Sequence, residues 1–538
     1  MSAVTTIYDE VEYPGQPRPQ VHPRRLYTLG RLLGLAPPPV ESARVLELGC
    51  GDGMHLLWIA EEFRSARCVG IDLAESGLAR GRAAAAEIGL TNVELMRADL
   101  LDLDASLGEF DYIIAHGLYS WIPERVREQL MAICGRNLAR DGIAVVSYNA
   151  YPGCHLRRVA DDAMRFHAAR HEGAAAKLTA AREIAEFLSL AATRDTSYQR
   201  VLRDELKLVE GTPAHALFHD DLAETNHPVY LVEFVAHARR HGLQYLCDSA
   251  LSTGHADGLG PDMQVRVDHF ARDRVEREQY VDFVHGRRFR HSLLHRSGRE
   301  PDFPGAAARA MAMFVAAPLR HDATHEQLMG DAEVTFAGLP LQSITLAHPL
   351  LKCALHRIAE AWPEPLAAQK LLTMSREMAG RHAEPEQVDR NVLETMLFEW
   401  AAIEIITLLD TPWRATAEPG ERPCATALAR WQAARGSQLT AHDGTKFDLA
   451  EGISRRFVCL LDGTRTADQL ADELFRAVNA GEVDVPPPLQ EACASGEGRN
   501  AIAEGIPFIL QMLSRRGLLQ RRELPEGSAC RVPRDGRT

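Results

Sequence analysis

The most constraining feature of the chain is one short passage. Arg44 to Leu48 (RVLEL) runs directly into GCGDG at 49–53 and then MHLLWIAEEF. An apolar strand, a glycine turn and an opening helix make the first half of a βαβ unit, which commits this region to an α/β fold with a parallel sheet. Gly49, Gly51 and Gly53 permit backbone dihedrals closed to other residues and let a ligand approach the main chain around Cys50. A second strand, Cys68 to Ile71, ends at Asp72-Leu73. An acidic side chain about 20 residues past such a turn can accept two charge-assisted hydrogen bonds from ribose hydroxyls.

The glycine spacing is E-x-G-x-G-x-G with Glu47 leading, not the GxGxxG of pyrophosphate cofactors. It resembles motif I of class I S-adenosylmethionine-dependent methyltransferases. The resemblance implies that the turn faces the methionine part of S-adenosyl-L-methionine and that Asp72 holds its ribose. It also implies that Asp99, after the strand Val93 to Met96, contacts the adenine. The fourth strand is FDYIIAHG (110–117) and the fifth GIAVVSYN (142–149). The cofactor residues so implied are Glu47, Gly49, Cys50, Gly51, Gly53, Asp72, Leu73, Asp99, Leu100 and His116. One departure narrows the chemistry. Where methyltransferases of planar amide and base nitrogens carry an (Asn/Asp)-Pro-Pro-aromatic motif, this chain has His116-Gly-Leu-Tyr119-Ser-Trp121.

With 538 residues the chain has room for about three domains, and 46% hydrophobic with 25% charged residues excludes disordered and fibrous classes. A net charge of -14 disfavours nucleic acid and anionic membranes as principal partners. Ten cysteines lie scattered without a CxxC pair, which suits neither a disulfide framework nor a zinc site and points to a reducing cytoplasm. The acidic start, MSAVTTIYDEVEYPG, lacks the character of a signal peptide, and no apolar run is long enough to span a membrane.

The expected organisation is an N-terminal segment and Rossmann-like core over 1–150, then a helical insertion over 151–226. Residues 227–298 complete a seven-stranded sheet, with 289–296 as its edge strand. Winged-helix-like modules follow over 299–415 and 416–538, with a helical stretch at 392–409 and GEVDVPPPLQEACASGEG as a loop. The insertion presents apolar stripes (Leu156, Val159, Met164, Ile184, Phe187, Leu188), which predict a homodimer built partly through it.

YDEVEYPGQPRPQVHPRRL, AHGLYSWIP, VSYNAYPGCHLR, LFHDDLAETNHPVY and REQYVDFVHGRRFRHSLLHR occur in this order. They resemble bacterial methyltransferases with a methyltransferase regulatory domain, whose best-known members are protein lysine methyltransferases of outer-membrane proteins. The acceptor that resemblance implies is a lysine amine, which must arrive neutral although its usual pKa is about 10.4. Aromatic faces can hold an amine and a sulfonium at roughly 0.5–2 kcal/mol per cation–π contact. The candidates are Tyr8, Tyr13, Tyr119, Trp121, Tyr148 and Tyr151, with Asn149 beside them and His116 as a proton acceptor or hydrogen-bonding wall. A small-molecule N- or O-methyltransferase is the competing reading, and a cofactor-binding regulator without turnover a third.

Overall fold

The computed structural model describes residues 10–254, 259–296, 298–338, 342–449 and 452–521. They form two compact units, one of the described residues up to 359 with 366–411 and the other of 360–365 with those from 412 to 521.

The first unit is built on a seven-stranded sheet of order β3-β2-β1-β4-β5-β7-β6. Its strands are β1 (Arg44–Leu48), β2 (Arg67–Asp72), β3 (Val93–Arg97), β4 (Phe110–Ala115), β5 (Leu138–Asn149), β6 (Gln244–Asp248) and β7 (Phe289–His295). The first five run parallel, and β7 is antiparallel to both β5 and β6. The Rossmann-like expectation holds, with one correction. The strand at 289–295 is not at the edge; it lies between β5 and β6, and β6 is the edge. Its inward side chains, Arg290 and Ser292, are fully buried, as an interior position requires.

The helices that frame the sheet are α1 (Pro23–Leu32), α2 (Met54–Glu62), α3 (Glu75–Ile88) and α4 (Glu124–Asn137). After β5 come α5 (Cys154–Ala168), α6 (Ala174–Ala191) and α7 (Ser197–Glu210), then a π-helical turn over Leu217–Asp221. The chain returns through α8 (Leu231–Arg240), and α9 (Pro261–Phe270) and α10 (Arg274–His285) precede β7. Leu46, Ile113, Val146, Phe234 and Leu294 lie in the main core. α5 to α7 have a separate small core in which Val159, Ile184 and Leu188 pack around buried Met164, whereas Leu156 and Phe187 point to solvent.

Farther along this unit, Val334–Ala337 and Ser343–Leu346 form an antiparallel pair. The helix expected over 392–409 runs only over Glu386–Ala402. Glu404 then adopts a left-handed φ of 61°, which ends the helix, and β-branched Ile-Ile-Thr enters the strand Thr407–Leu409.

The second unit packs helices Ala427–Arg435, Ile453–Leu460, Ala467–Asn479 and Gly498–Arg515 with the hairpin Gln438–Thr440 and Lys446–Asp448. Leu439, Phe457, Leu461, Leu470 and Leu513 fill its core. The loop expected around 481–498 contains a helix, Pro487–Ala494, because proline is well suited to the first helical position. No helix of the described residues is long and apolar enough to cross a membrane.

Candidate active site

The glycine turn is pinned to the end of β2. Gly49 donates to the Ile71 carbonyl at 2.8 Å, and Gly51 donates to Asp72 Oδ2 at 2.8 Å. Asp72 Oδ1 accepts from Ala74 at 2.8 Å, so one carboxylate ties both sides of the crevice and keeps further lone pairs for a ligand. Gly51 has φ +59°, and a Cβ there would meet only open space. Glu47, at the end of β1, is buried, and its Oε2 has no hydrogen-bond partner among the described residues. Burial, helped by Asp52 and Asp72, holds its carboxyl well above the usual range. Asp99 caps Leu101 through Oδ1 at 3.0 Å; Cys50 and Leu100 are buried and Leu73 is exposed.

A strap formed by residues 10–22 crosses this turn. Gly15 donates to Asp52 Oδ2 at 3.1 Å and Arg18 to His55 Nδ1 at 3.2 Å. Its outer end is fastened to the π-turn, where His219 Nε2 lies 2.7 Å from the Val11 carbonyl and the Tyr13 hydroxyl meets Asp220 at 3.5 Å. Tyr13 therefore anchors the strap to the insertion, and Tyr8 lies outside the described residues. Burial pushes His55 down to about 3, so it accepts the Arg18 N–H as a neutral ring.

Beyond β4 the His116 ring stacks on His291 of β7 with centroids 5.3 Å apart and planes 5° from parallel. Phe289 stands edge-on to both. Burial, then His291 and Arg18, hold His116 well below the usual histidine range, and its buried Nδ1 has no hydrogen-bond partner among the described residues. His291 is pushed down to about 4. Gly117 donates to Ser147 Oγ at 2.8 Å, locking the ends of β4 and β5 together.

The aromatic candidates divide by face. Tyr148 is buried, stacks on Phe234 at 4.1 Å and shares a 2.9 Å hydrogen bond with Ser292. Tyr119 is also buried, 2.8 Å from His237 Nδ1 and edge-on to Phe234. Both belong to the packing between the sheet and α8, which corrects the expectation that they face an acceptor. Trp121 is half-buried beside the end of β4. Asn149 ends β5 and donates to Asn226 Oδ1 at 2.9 Å; Tyr151 follows, stacked on His155 at 4.0 Å.

Residues 45–142 match the model of the methyltransferase domain, 213–296 that of the "Predicted methyltransferase regulatory domain", and 421–518 that of the PKMT C-terminal winged helix domain. The chain is 30% identical over 207 residues to the trans-aconitate 2-methyltransferase of Azoarcus sp., covering 37% of this chain and 79% of that one. The chain belongs to the S-adenosylmethionine-dependent methyltransferases. It is also similar to protein RP789 of Rickettsia prowazekii, at 38% identity over 289 residues that make up 53% of this chain and about half, 52%, of that protein's length. PKMT2 from Rickettsia typhi has a like structure throughout, with a TM-score of 0.84 at 25% identity over 94% of this chain and 100% of that one. Its complex with AdoHcy gives 0.83.

The crevice of this methyltransferase suits S-adenosylmethionine. Asp72 lies beside Gly51, whose Cβ position is open, and the orphaned Glu47 Oε2, within electrostatic reach of Asp52 and Asp72, offers a buried acceptor that a ligand's sulfonium and ammonium charge would draw into its ionised form. Sequence reasoning missed Gly15, Arg18, Phe289 and His291; the alternation of FRH at the start of β7 was the available signal for the last two. Glu128, His237 and His241 also converge, with Nε2 atoms 3.2 and 3.0 Å from the carboxylate, but Arg240 already pairs with that carboxylate at 3.0 Å.

Proposed function

We propose that this methyltransferase methylates lysine side chains of proteins, acting as a cytoplasmic homodimer. The observation that carries the reading is the likeness to PKMT2 over 94% of the chain, together with the match to the PKMT winged helix domain. S-adenosylmethionine, when bound, supplies a methyl group on a positively charged sulfur, open to in-line attack. In this reading Asp72 holds the ribose and Asp99 with Leu100 the adenine. The turn Gly49-Cys50-Gly51 and Gly53 passes beneath the methionine part, Leu73 borders it, and Glu47 balances its charge. The strap through Gly15 and Arg18 keeps water out, which favours methyl transfer because alignment and desolvation matter more here than a strong base. His116, kept neutral and stacked on His291, orients the incoming amine through its unpartnered nitrogen, with Trp121, Asn149 and Tyr151 lining the approach.

The same reading assigns 1–150 and 227–298 to the catalytic fold, 151–226 to dimerisation, and 299–415 and 416–538 to accessory modules. Phe166, Phe187, Leu190 and Tyr198 of the insertion are exposed large hydrophobic residues, as a covered surface requires. The described cysteines are all free thiols, in keeping with a reducing compartment. The test is methylation of a cell lysate with labelled cofactor, followed by mapping of the modified residue. Label on protein lysines is expected. Turnover of a free metabolite with no labelled protein would instead select the small-molecule reading.

A further inference from the structure

Beyond the end of β5 lies a polar cavity of about 470 Å³, separate from the cofactor crevice. Its walls include Tyr151, Arg158 and Arg165 together with Glu224, Asn226 and His227. The cavity is fastened to the carboxyl ends of two central strands. Asn226 accepts from Asn149 at 2.9 Å, and the His227 N–H donates to the Ser120 carbonyl at 2.8 Å. In open α/β sheets this is where substrates lie.

The two arginines differ. They sit seven residues apart on α5, on one face of the helix. Arg165 is committed, paired with Asp162 and donating to the Ala223 carbonyl at 3.0 Å. Arg158 has no salt-bridge partner among the described residues; the polar atom it meets is the Tyr151 hydroxyl, at 3.4 Å. Burial, then Arg127, lowers the pKa of His227, so it adds no charge near neutrality. With Arg165 paired, the uncommitted guanidinium is that of Arg158, which has Glu224 as the lining carboxylate and feels Asp161 and Asp162 of its own helix, in a chain whose net charge is -14. A free guanidinium beside a tyrosine hydroxyl, in a concave site, matches a planar carboxylate.

We propose that this cavity binds an acidic side chain of the acceptor polypeptide, so that the enzyme selects lysines with Asp or Glu nearby. The inference rests on the lysine reading and adds a sequence preference to it. Arg158 makes the contact, Tyr151 orients it, and Asn226 links the cavity to the end of β5. The alternative solution, a free carboxylic acid as the methyl acceptor itself, is separated by the test.

The test compares kcat/KM for single-lysine peptides carrying Asp, Asn or Lys at each flanking position, with the full chain as wild type, Arg158→Glu and Arg158→Gln. At one or more positions wild type should prefer Asp over Asn by roughly tenfold, the value of one charge-assisted hydrogen bond, and mainly through KM. Arg158→Gln should erase the preference and Arg158→Glu should turn it toward Lys, with cofactor affinity by calorimetry unchanged in both. Lysine methylation indifferent to the flanking charge, or a preference that survives both variants, overturns this inference and leaves the lysine reading intact. Methylation of free dicarboxylic acids with no peptide or protein labelled overturns both.

Discussion

Asp52 holds the strap and the cofactor turn with one carboxylate: Oδ2 accepts the Gly15 N–H at 3.1 Å and Oδ1 accepts the Met54 N–H at 3.1 Å. The first bond closes the strap, and the second satisfies the first N–H of α2, that of Met54. The strap and the glycine turn are therefore coupled through a single buried side chain.

Replacing Gly15 breaks that coupling. A Cβ at this position would lie 1.9 Å from Asp52 Oδ1, far inside contact distance. Gly15→Val should lift the strap and speed cofactor release about tenfold or more, as for loss of a hydrogen bond to a charged group. Stopped-flow displacement of bound S-adenosylhomocysteine measures this; an unchanged off-rate would mean that the strap does not retain the cofactor.

Asp72→Ala removes the acceptor for the Gly51 and Ala74 N–H groups as well as the proposed ribose contacts. The loss should be about 2–4 kcal/mol of cofactor binding by calorimetry. Gly51→Val should be at least as severe, because it forces a β-branched residue to φ +59° in the open space of the crevice.

Glu47→Gln should separate stability from function. An unpartnered buried carboxylate is costly, so the amide variant should melt at a higher temperature without cofactor at neutral pH. It should also bind S-adenosylmethionine more weakly, because the ligand's positive charge loses its counter-ion. Calorimetry and a melting curve on the same sample test both; equal affinity would remove Glu47 from the site.

A pH dependence follows from Asp161 in the insertion. Burial, then Asp221, raises its carboxyl to about 7, whereas an unfolded aspartate titrates near 3.9. A pKa raised by folding gives stability that is fully present below the unfolded value and is lost as pH rises through the folded one. From about pH 5 to about pH 7, wild type should lose up to ~1.4 kcal/mol per pH unit relative to Asp161→Asn. The difference in melting temperature across that window checks it; a constant difference would rule it out.

Phe187→Asp should split the proposed homodimer while leaving cofactor affinity nearly unchanged. Phe187 is 61% exposed on α6 and lies outside the cofactor crevice. Light scattering decides. A wild type that already has the mass of one chain would reject the dimer.

The cofactor turn was legible because its signals are local. Glu47, three alternating glycines and Asp72 stand at spacings that the backbone geometry itself demands. The proposed acceptor wall was less so. Successive residues of a strand face opposite sides, so Tyr148 and Asn149 cannot share a site, yet their common place at the end of a strand grouped them. Tyr148 went to the α8 packing, and Ser147, one residue earlier, to the crevice. His291 and Phe289 reach His116 only because β7 pairs with β5 across more than a hundred intervening residues, and no local pattern encodes that pairing. Gly15 likewise looks like part of a proline-rich linker until Asp52 is placed beneath it.

The position of β7 also bears on how the enzyme is made. The ribosome releases β6 before the strand that must sit between it and β5. Until residue 295 emerges, β5 presents an unpaired edge and β6 has no neighbour. The same late strand carries His291 and Phe289, so a nascent or truncated chain lacks the rings that stack on His116 for as long as it lacks a closed sheet. Synthesis thus couples completion of the fold to completion of the proposed site, and a fragment that stops at the end of β6 should need a chaperone more than a substrate.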